Sequence, residues 1–218
     1  MPMDKRFAIF DMDGTLVDSM VFWERLGREY LASKGITAGV EPILEQIIPM
    51  TMSESSALFI EAFGIPGTPE SVAAEMNAIM DNHYRKDIPQ KEGVQEYLAQ
   101  LTQKGVVMCV ASSTAQELMF ACLSRLGVAD RFAFLISCEE VGAGKNRPDV
   151  YLESARRLGA QPQEIAVYED ALYAARTAKD AGFYTVAVFD NSEKDQWEEL
   201  TNLAHESIFD WGKAAQSL

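Results

Sequence analysis

Two carboxylates two residues apart, Asp11 and Asp13, directly follow a short apolar run at Phe7–Phe10. Acidic groups beside a buried strand are costly to place unless something offsets their charge. A Mg²⁺ ion would do so, because it prefers hard oxygen ligands and is commonly held by carboxylates together with substrate phosphate. One carboxylate could then attack phosphorus while the other shuttles a proton. An isolated Asp-x-Asp pair is also compatible with a plain turn at a strand end.

Hydroxyl, ammonium and further acidic side chains occur at three later positions. Ser112 and Ser113 follow a second apolar run, and a strand end that opens onto a helix presents hydroxyl and N–H groups to an anion. Lys145 lies in a glycine-rich segment, and Glu169 with Asp170 follows another apolar run. Plainer interpretations stay open at this point. A Ser or Thr of the segment 112–114 and Asp170 could cap the helices that follow them, and Lys145 could be a solvated cation.

The segment Phe10–Ser19 reads FDMDGTLVDS and resembles the first motif of the haloacid dehalogenase superfamily, DxDGTLxDS. Three further segments resemble the remaining motifs of that superfamily in the same order: Val110–Thr114, Lys145 with Pro148, and Glu169 with Asp170. The resemblance therefore covers the whole chain. It is to hydrolases of the β-phosphoglucomutase and phosphoglycolate phosphatase-like subfamily, which carry a helical cap.

The resemblance implies a role for each residue. Asp11 would be the nucleophile and Asp13 the general acid and base, and both would bind Mg²⁺, Asp13 through its backbone carbonyl. Lys145 would be catalytic and would bind phosphate with the hydroxyls and amides of the second motif. The predicted site residues are Asp11, Asp13, Ser112, Ser113, Lys145, Glu169 and Asp170.

The chain departs from the superfamily pattern in two places. The third motif often reads K-P-x-P, whereas this chain has K-N-R-P, which introduces Arg147 as a phosphate contact or a surface cation. Relatives commonly follow the acidic pair with Ser and, three residues later, Gly, whereas this chain has Ala171 and Ala174. The proposed ligands are unaffected by either change.

Five apolar runs can supply the strands that position these residues. They are Phe7–Phe10, Val106–Ala111, Phe134–Ser137, Ile165–Tyr168 and Thr185–Phe189. Most are continuous, which is typical of strands buried on both faces. Helical patterns separate the later four, at Val94–Lys104, Gln116–Leu126, Val150–Leu158 and Ala171–Ala181. The pattern predicts an α/β protein with a Rossmann-like parallel sheet, which binds ligands at the carboxyl ends of its strands.

The interval between the first two strands reads as helices only, at Asp18–Ser33, Met52–Phe63 and Glu70–Lys86. A crossover helix does not need that length. We therefore predict a core domain at 1–16 and 92–218 and an inserted, all-helical cap domain at 17–91. The resemblance implies that the cap shapes the pocket for the leaving group, with Trp23 as a candidate substrate contact. The Met and aromatic residues of the insert could equally fill its own core.

Charge and composition exclude several function classes. A net charge of −14 argues against nucleic acid, which needs clustered Lys and Arg. No apolar run approaches the roughly 20 residues of a membrane helix, so we expect a cytoplasmic protein. The three cysteines show no CxxC spacing and should be buried free thiols. The resemblance favours a monomer.

The predicted function is a Mg²⁺-dependent phosphatase that hydrolyses a small phosphorylated metabolite through an aspartyl-phosphate. The chief alternative is a phosphosugar mutase of β-phosphoglucomutase type, which carries a cap His and a cap Arg. Here Trp23 stands near the His position, and residues 49–53 contain no Arg.

A phosphonatase would need a cap Lys, for which only Lys34 is available early in the insert. Dehalogenases lack the second acid, so Asp13 argues against them. A binding module that kept the fold would lack Mg²⁺-dependent activity.

Overall fold

The computed structural model describes residues 5–47 and 50–217, so part of the segment 49–53 lies outside the described residues. Within them, six strands form one sheet in the order β3-β2-β1-β4-β5-β6, and every pairing is parallel. The strands are β1 Phe7–Phe10, β2 Val107–Ser112, β3 Phe132–Ser137, β4 Ile165–Glu169, β5 Tyr184–Val188 and β6 Glu206–Ile208. The predicted fold class is confirmed.

The strand order diverges at β1. Phe10 pairs with Val110 of β2 on one side and with Tyr168 of β4 on the other. The following strands then extend outward in opposite directions, towards β3 and towards β6. This divergence creates a crevice at the carboxyl ends of β1 and β4, which is where open α/β sheets bind ligands.

Seven helices of the described chain accompany the sheet. They are α5 Val94–Gln103, α6 Gln116–Arg125, α7 Cys138–Val141, α8 Asp149–Leu158, α9 Leu172–Asp180, α10 Trp197–Leu203 and α11 Trp211–Gln216. Helix α8 packs on the sheet with Val150 and Tyr151 fully buried beside Ile9 and Val167. It ends at Gly159, whose φ of 67° suits glycine better than any side chain.

The chain divides into two compact units, one of residues 1–19 and 88–218 and one of Met20–Asp87. The second unit holds α1 Met20–Ser33, α2 Glu41–Ile47, α3 Met52–Phe63 and α4 Pro69–Lys86. Capping boxes at Thr51 and Thr68 start α3 and α4 by satisfying backbone N–H groups at each helix end. Its core contains Tyr30, Phe59, Met76, Met80 and Tyr84. The role of this unit as a cap stays a prediction.

All five predicted strands exist within two residues of their expected ends, and the predicted helices exist as well. Helices α2, α7 and α11 and strand β6 were not predicted. Met76 is buried in the core of the helical unit, which confirms the plainer interpretation for this residue, whereas Met50 is 37% exposed and does not fill the core. The three cysteines are free and buried, as expected. No helix among the described residues is long and apolar enough to cross a membrane.

Candidate active site

Three buried carboxylates meet where β1 and β4 end. Asp11 directly follows β1 and donates its backbone N–H to the carbonyl of Tyr168 at 3.0 Å. Glu169 ends β4, and Asp170 follows it. Each of the three offers an oxygen within 4.8 Å of the others. Two neighbouring parallel strands therefore deliver acidic groups to one point of the crevice.

Lys145 places its ammonium group among these carboxylates. It bonds Asp11 Oδ1 and lies 2.7 Å from Glu169 Oε1. Only 4% of the residue is exposed, so the interpretation of Lys145 as a solvated cation is wrong. The hydroxyl of Tyr151 on α8 donates to the same Glu169 oxygen at 2.8 Å. One oxygen of Glu169 is therefore held by two donors.

The site carries more negative than positive charge. Burial raises the pKa of Asp11 to about 8, against the opposing effect of Lys145. Burial, with Asp11 and Glu169 adding to it, raises the pKa of Asp170 well above its ordinary value. Burial lowers the pKa of Lys145, but the two carboxylates raise it by more, so the group stays an ammonium. When all three carboxylates are ionised, they and the one ammonium carry a formal charge of −2, which a divalent cation would balance.

A divalent cation fits this arrangement. Asp11 Oδ2 is buried and has no hydrogen-bond partner within the described residues, so it can serve as a ligand. Carboxylate oxygens are the donors that Mg²⁺ prefers. Asp11 and Asp170 would hold the ion directly, with Glu169 beside them. Gly14 makes room for Asp170, because a Cβ at this position would collide with the Asp170 carboxylate.

Asp13 faces a cluster of hydroxyl groups. Its Oδ1 accepts a hydrogen bond from Ser19 at 2.7 Å, and its Oδ2 accepts from Ser112 at 3.2 Å and Thr114 at 2.7 Å. The carboxylate is therefore oriented by three hydroxyl donors. A metal-binding role for Asp13 depends on its backbone carbonyl, as the resemblance implied.

The two predicted phosphate-binding serines differ in their surroundings. Ser112 also accepts the N–H of Thr114 at 3.0 Å, whereas Ser113 lies 3.8 Å from the sulfur of Cys138. Helix α6 has Ala115 at its N-cap and α9 has Ala171, so the helix-capping interpretations of Ser112 and Asp170 are wrong. Binding of phosphate by either serine stays a prediction.

A family model described as haloacid dehalogenase-like hydrolase matches residues 8–188. The chain belongs to this family. A phosphorylated carbohydrates phosphatase of Thermotoga maritima is 27% identical over 80% of this chain and 81% of its own. Hexitol phosphatase B of Escherichia coli K12 is 27% identical over 83% and 82%. A crystal structure of a candidate β-phosphoglucomutase from Thermotoga maritima shares the fold with a TM-score of 0.81, at 23% identity over 97% of both chains.

Sequence reasoning missed two residues around the acidic cluster of this haloacid dehalogenase-like hydrolase, Tyr151 and Asp190. Tyr151 gave no signal, because an aromatic residue on a helix face is most often core. Asp190 follows β5 at the same edge of the sheet, so the rule that located Asp170 could have found it. Its Oδ2 lies 2.6 Å from Lys91 Nζ. Burial raises the pKa of Asp190, but the hydrogen bonds from Lys91 and Ser192 lower it by more, so its pKa lies below the ordinary value.

The predicted substrate residue lies in the helical unit of this hydrolase. Trp23 is half-buried on α1 and donates its indole N–H to the hydroxyl of Tyr84 at 3.2 Å. Its contact with substrate stays a prediction. Lys34 is 2.5 Å from Glu75, and the hydrogen bond between them raises its pKa. A Schiff base needs a neutral amine, so this ion pair argues against a phosphonatase.

Proposed function

We propose that this chain is a Mg²⁺-dependent phosphatase that hydrolyses small phosphorylated carbohydrates through an aspartyl-phosphate. The observation that supports it best is the buried cluster of Asp11, Glu169 and Asp170, which surrounds the Lys145 ammonium and in which Asp11 Oδ2 is buried without a hydrogen-bond partner among the described residues. The curated relatives named above are phosphatases of phosphorylated carbohydrates and of hexitols, which supports the substrate class.

The first half of the reaction transfers the phosphoryl group to Asp11. Its carboxylate oxygen forms a bond to phosphorus as the bond from phosphorus to the sugar oxygen breaks. Asp13 donates a proton to that leaving oxygen. Bound Mg²⁺ would neutralise the repulsion between the carboxylate and the phosphate. Lys145 adds positive charge beside the nucleophile, where electrostatic stabilisation matters most for this class of reaction.

The second half releases phosphate. Asp13, now ionised, accepts a proton from water as the water oxygen bonds to phosphorus and the bond to Asp11 breaks. The hydroxyls of Ser19, Ser112 and Thr114 orient Asp13 for both transfers.

The test is phosphate release from hexose phosphates, hexitol phosphates and a nucleoside monophosphate, with and without MgCl₂. We expect Mg²⁺-dependent turnover with a preference for the sugar and polyol esters. Asp11→Asn should abolish turnover while the circular dichroism spectrum stays unchanged, and Asp180→Asn, at an exposed position on α9, should retain it. Turnover by Asp11→Asn would refute the nucleophile. Dependence on a sugar bisphosphate activator would indicate a mutase instead.

A further inference from the structure

The C-terminal segment that contains β6 and α11 lies beyond residue 188, where the match to the family model ends. Trp211, the first residue of α11, is buried with 4% of its surface exposed. Its side chain contacts Phe10, Thr15 and Tyr168, which lie next to the acidic cluster in the sequence. A part of the chain outside the matched family segment therefore contacts the site.

Trp211 contacts the loop that carries Asp13 by a directed hydrogen bond. Its indole N–H donates to the backbone carbonyl of Thr15 at 3.2 Å, and both groups are buried. The Thr15 hydroxyl in turn is 3.3 Å from Asp170 Oδ1, to which it donates. An indole N–H is only a donor, so this bond fixes which way the Thr15 carbonyl points. The chain of contacts links α11 to a proposed metal ligand.

The same indole ring packs against the two strands that end in the acidic cluster. Its centroid is 6.4 Å from the ring of Phe10 and 6.0 Å from that of Tyr168. Phe10 directly precedes Asp11, and Tyr168 directly precedes Glu169. Trp211 is therefore in contact with every segment that supplies a carboxylate to the site.

Helix α11 is itself held firmly in place. Gly93, with φ of 86°, lies so close to it that a Cβ on this glycine would collide with the backbone of Trp211 and Gly212. Asp210 caps the helix, since its Oδ1 accepts the N–H of Lys213 at 3.0 Å. Such close packing leaves the indole little freedom to follow a shift of the Thr15 loop.

We propose that Trp211 is a positioning residue for the metal site. By fixing the Thr15 carbonyl and supporting the strands that end at Asp11 and Glu169, it holds the three carboxylates at the spacing that binds one divalent cation. This inference rests on the proposed function, because it takes the cluster to be a Mg²⁺ site.

The first test compares Trp211→Phe with Trp197→Phe. Trp197 packs against Phe189 and Phe209 elsewhere in the same unit, so it is the matched control. Losing one hydrogen bond should weaken Mg²⁺ binding about fivefold in calorimetry for Trp211→Phe. The kcat for p-nitrophenyl phosphate should fall by a similar factor with KM little changed, and Trp197→Phe should retain wild-type values. If Trp211→Phe lowers the Tm without changing the Mg²⁺ affinity or kcat, Trp211 is merely structural and the inference is wrong.

A second measurement does not depend on the folding of a Trp211 variant. The chain has three tryptophans, so Trp23→Phe combined with Trp197→Phe leaves Trp211 as the only one. We expect its fluorescence to change in a saturable manner as MgCl₂ is added, with the midpoint that calorimetry gives. A constant emission spectrum at saturating Mg²⁺ contradicts the inference. If the wild type binds no Mg²⁺, the proposed function fails as well, whereas an active wild type with an unaffected Trp211→Phe variant overturns the inference alone.

Discussion

Replacing Lys145 by Met removes the only cation that the described structure places within the acidic cluster. The Met side chain has a similar length and keeps the apolar packing, so the change removes charge without opening a large cavity. Lys145 is bonded to Asp11 and lies 2.7 Å from Glu169, with 3% of its side chain exposed. Breaking a buried ion pair from one side costs about 3–5 kcal/mol, because an uncompensated charge is left behind.

Mg²⁺ should offset part of this loss. With its three carboxylates ionised, the cluster carries a formal charge of −3 in the variant and −2 in the wild type, so the cation should bind the variant at least as tightly. At a concentration of 100 Kd, binding stabilises the folded state by about 2.7 kcal/mol. We therefore expect MgCl₂ to raise the Tm of Lys145→Met more than that of the wild type. Turnover should stay low, because the positive charge beside the nucleophile is missing.

The assay is urea unfolding followed by circular dichroism at pH 7.5, with and without MgCl₂. Lys213→Met is the control, because 84% of the Lys213 side chain is exposed and its distance to Asp210 is 4.0 Å. Such a surface pair contributes about 0–1 kcal/mol. If Lys145→Met without Mg²⁺ unfolds within about 0.5 kcal/mol of the control, the cluster does not depend on this cation and the charge argument is wrong.

Two further predictions concern a buried hydroxyl and a histidine. Tyr151→Phe removes the donor 2.8 Å from Glu169 and should lower the free energy of unfolding by about 1.5–3 kcal/mol, the range for hydrogen bonds to charged groups, as urea titration would measure. Burial lowers the pKa of His83, but the hydrogen bonds that its ring donates to the carboxylates of Glu29 and Asp87 raise it by more, so its net pKa lies above 6.5. The stabilisation from protonated His83 is present below pH 6.5 and is lost as pH rises through the folded pKa, which unfolding of wild type and His83→Gln at pH 5.5 and 8.5 would reveal.

Each of these predictions has a control and a contradicting result. Tyr97→Phe removes a neutral buried hydroxyl 3.0 Å from that of Tyr168, so its cost should be the smaller of the two Tyr variants. Equal losses of unfolding free energy in the two variants would mean that the hydrogen bond from Tyr151 to Glu169 is no stronger than one between neutral groups. For the histidine, identical pH dependence of unfolding in wild type and His83→Gln would show that the ion pairs of His83 do not contribute.

The periodicity of the sequence was enough to predict the sheet. Continuous apolar runs such as Phe7–Phe10 and Ile165–Tyr168 can be buried on both faces only in a parallel sheet covered by helices, and glycines such as Gly159 end the helices between them. Short elements could not be predicted in this way. The three-residue strand β6 and the seven-residue helix α2 are too short to show a period, and their formation depends on neighbours that only the tertiary structure provides.

The candidate site divides in the same way. The motifs predicted that Asp11 and Asp170 follow strands and that Lys145 lies in a loop between strands. This could be predicted because a motif is recognised from residue types and their order along the chain, without knowledge of the packing. Only the tertiary structure decided that Lys145 is buried between Asp11 and Glu169, and that Tyr151 shares its acceptor.

The contact between Trp211 and Thr15 joins residues 196 positions apart, and no local pattern in the sequence encodes such a pairing. The physical reason is that burial and hydrogen bonding depend on distances in space, whereas a sequence records only distances along the chain. What the sequence by itself determined is which chemical groups stand at the ends of the strands. The tertiary structure decided the balance of charge among these groups, their hydrogen-bond partners and the packing of Trp211 against the strands that carry them.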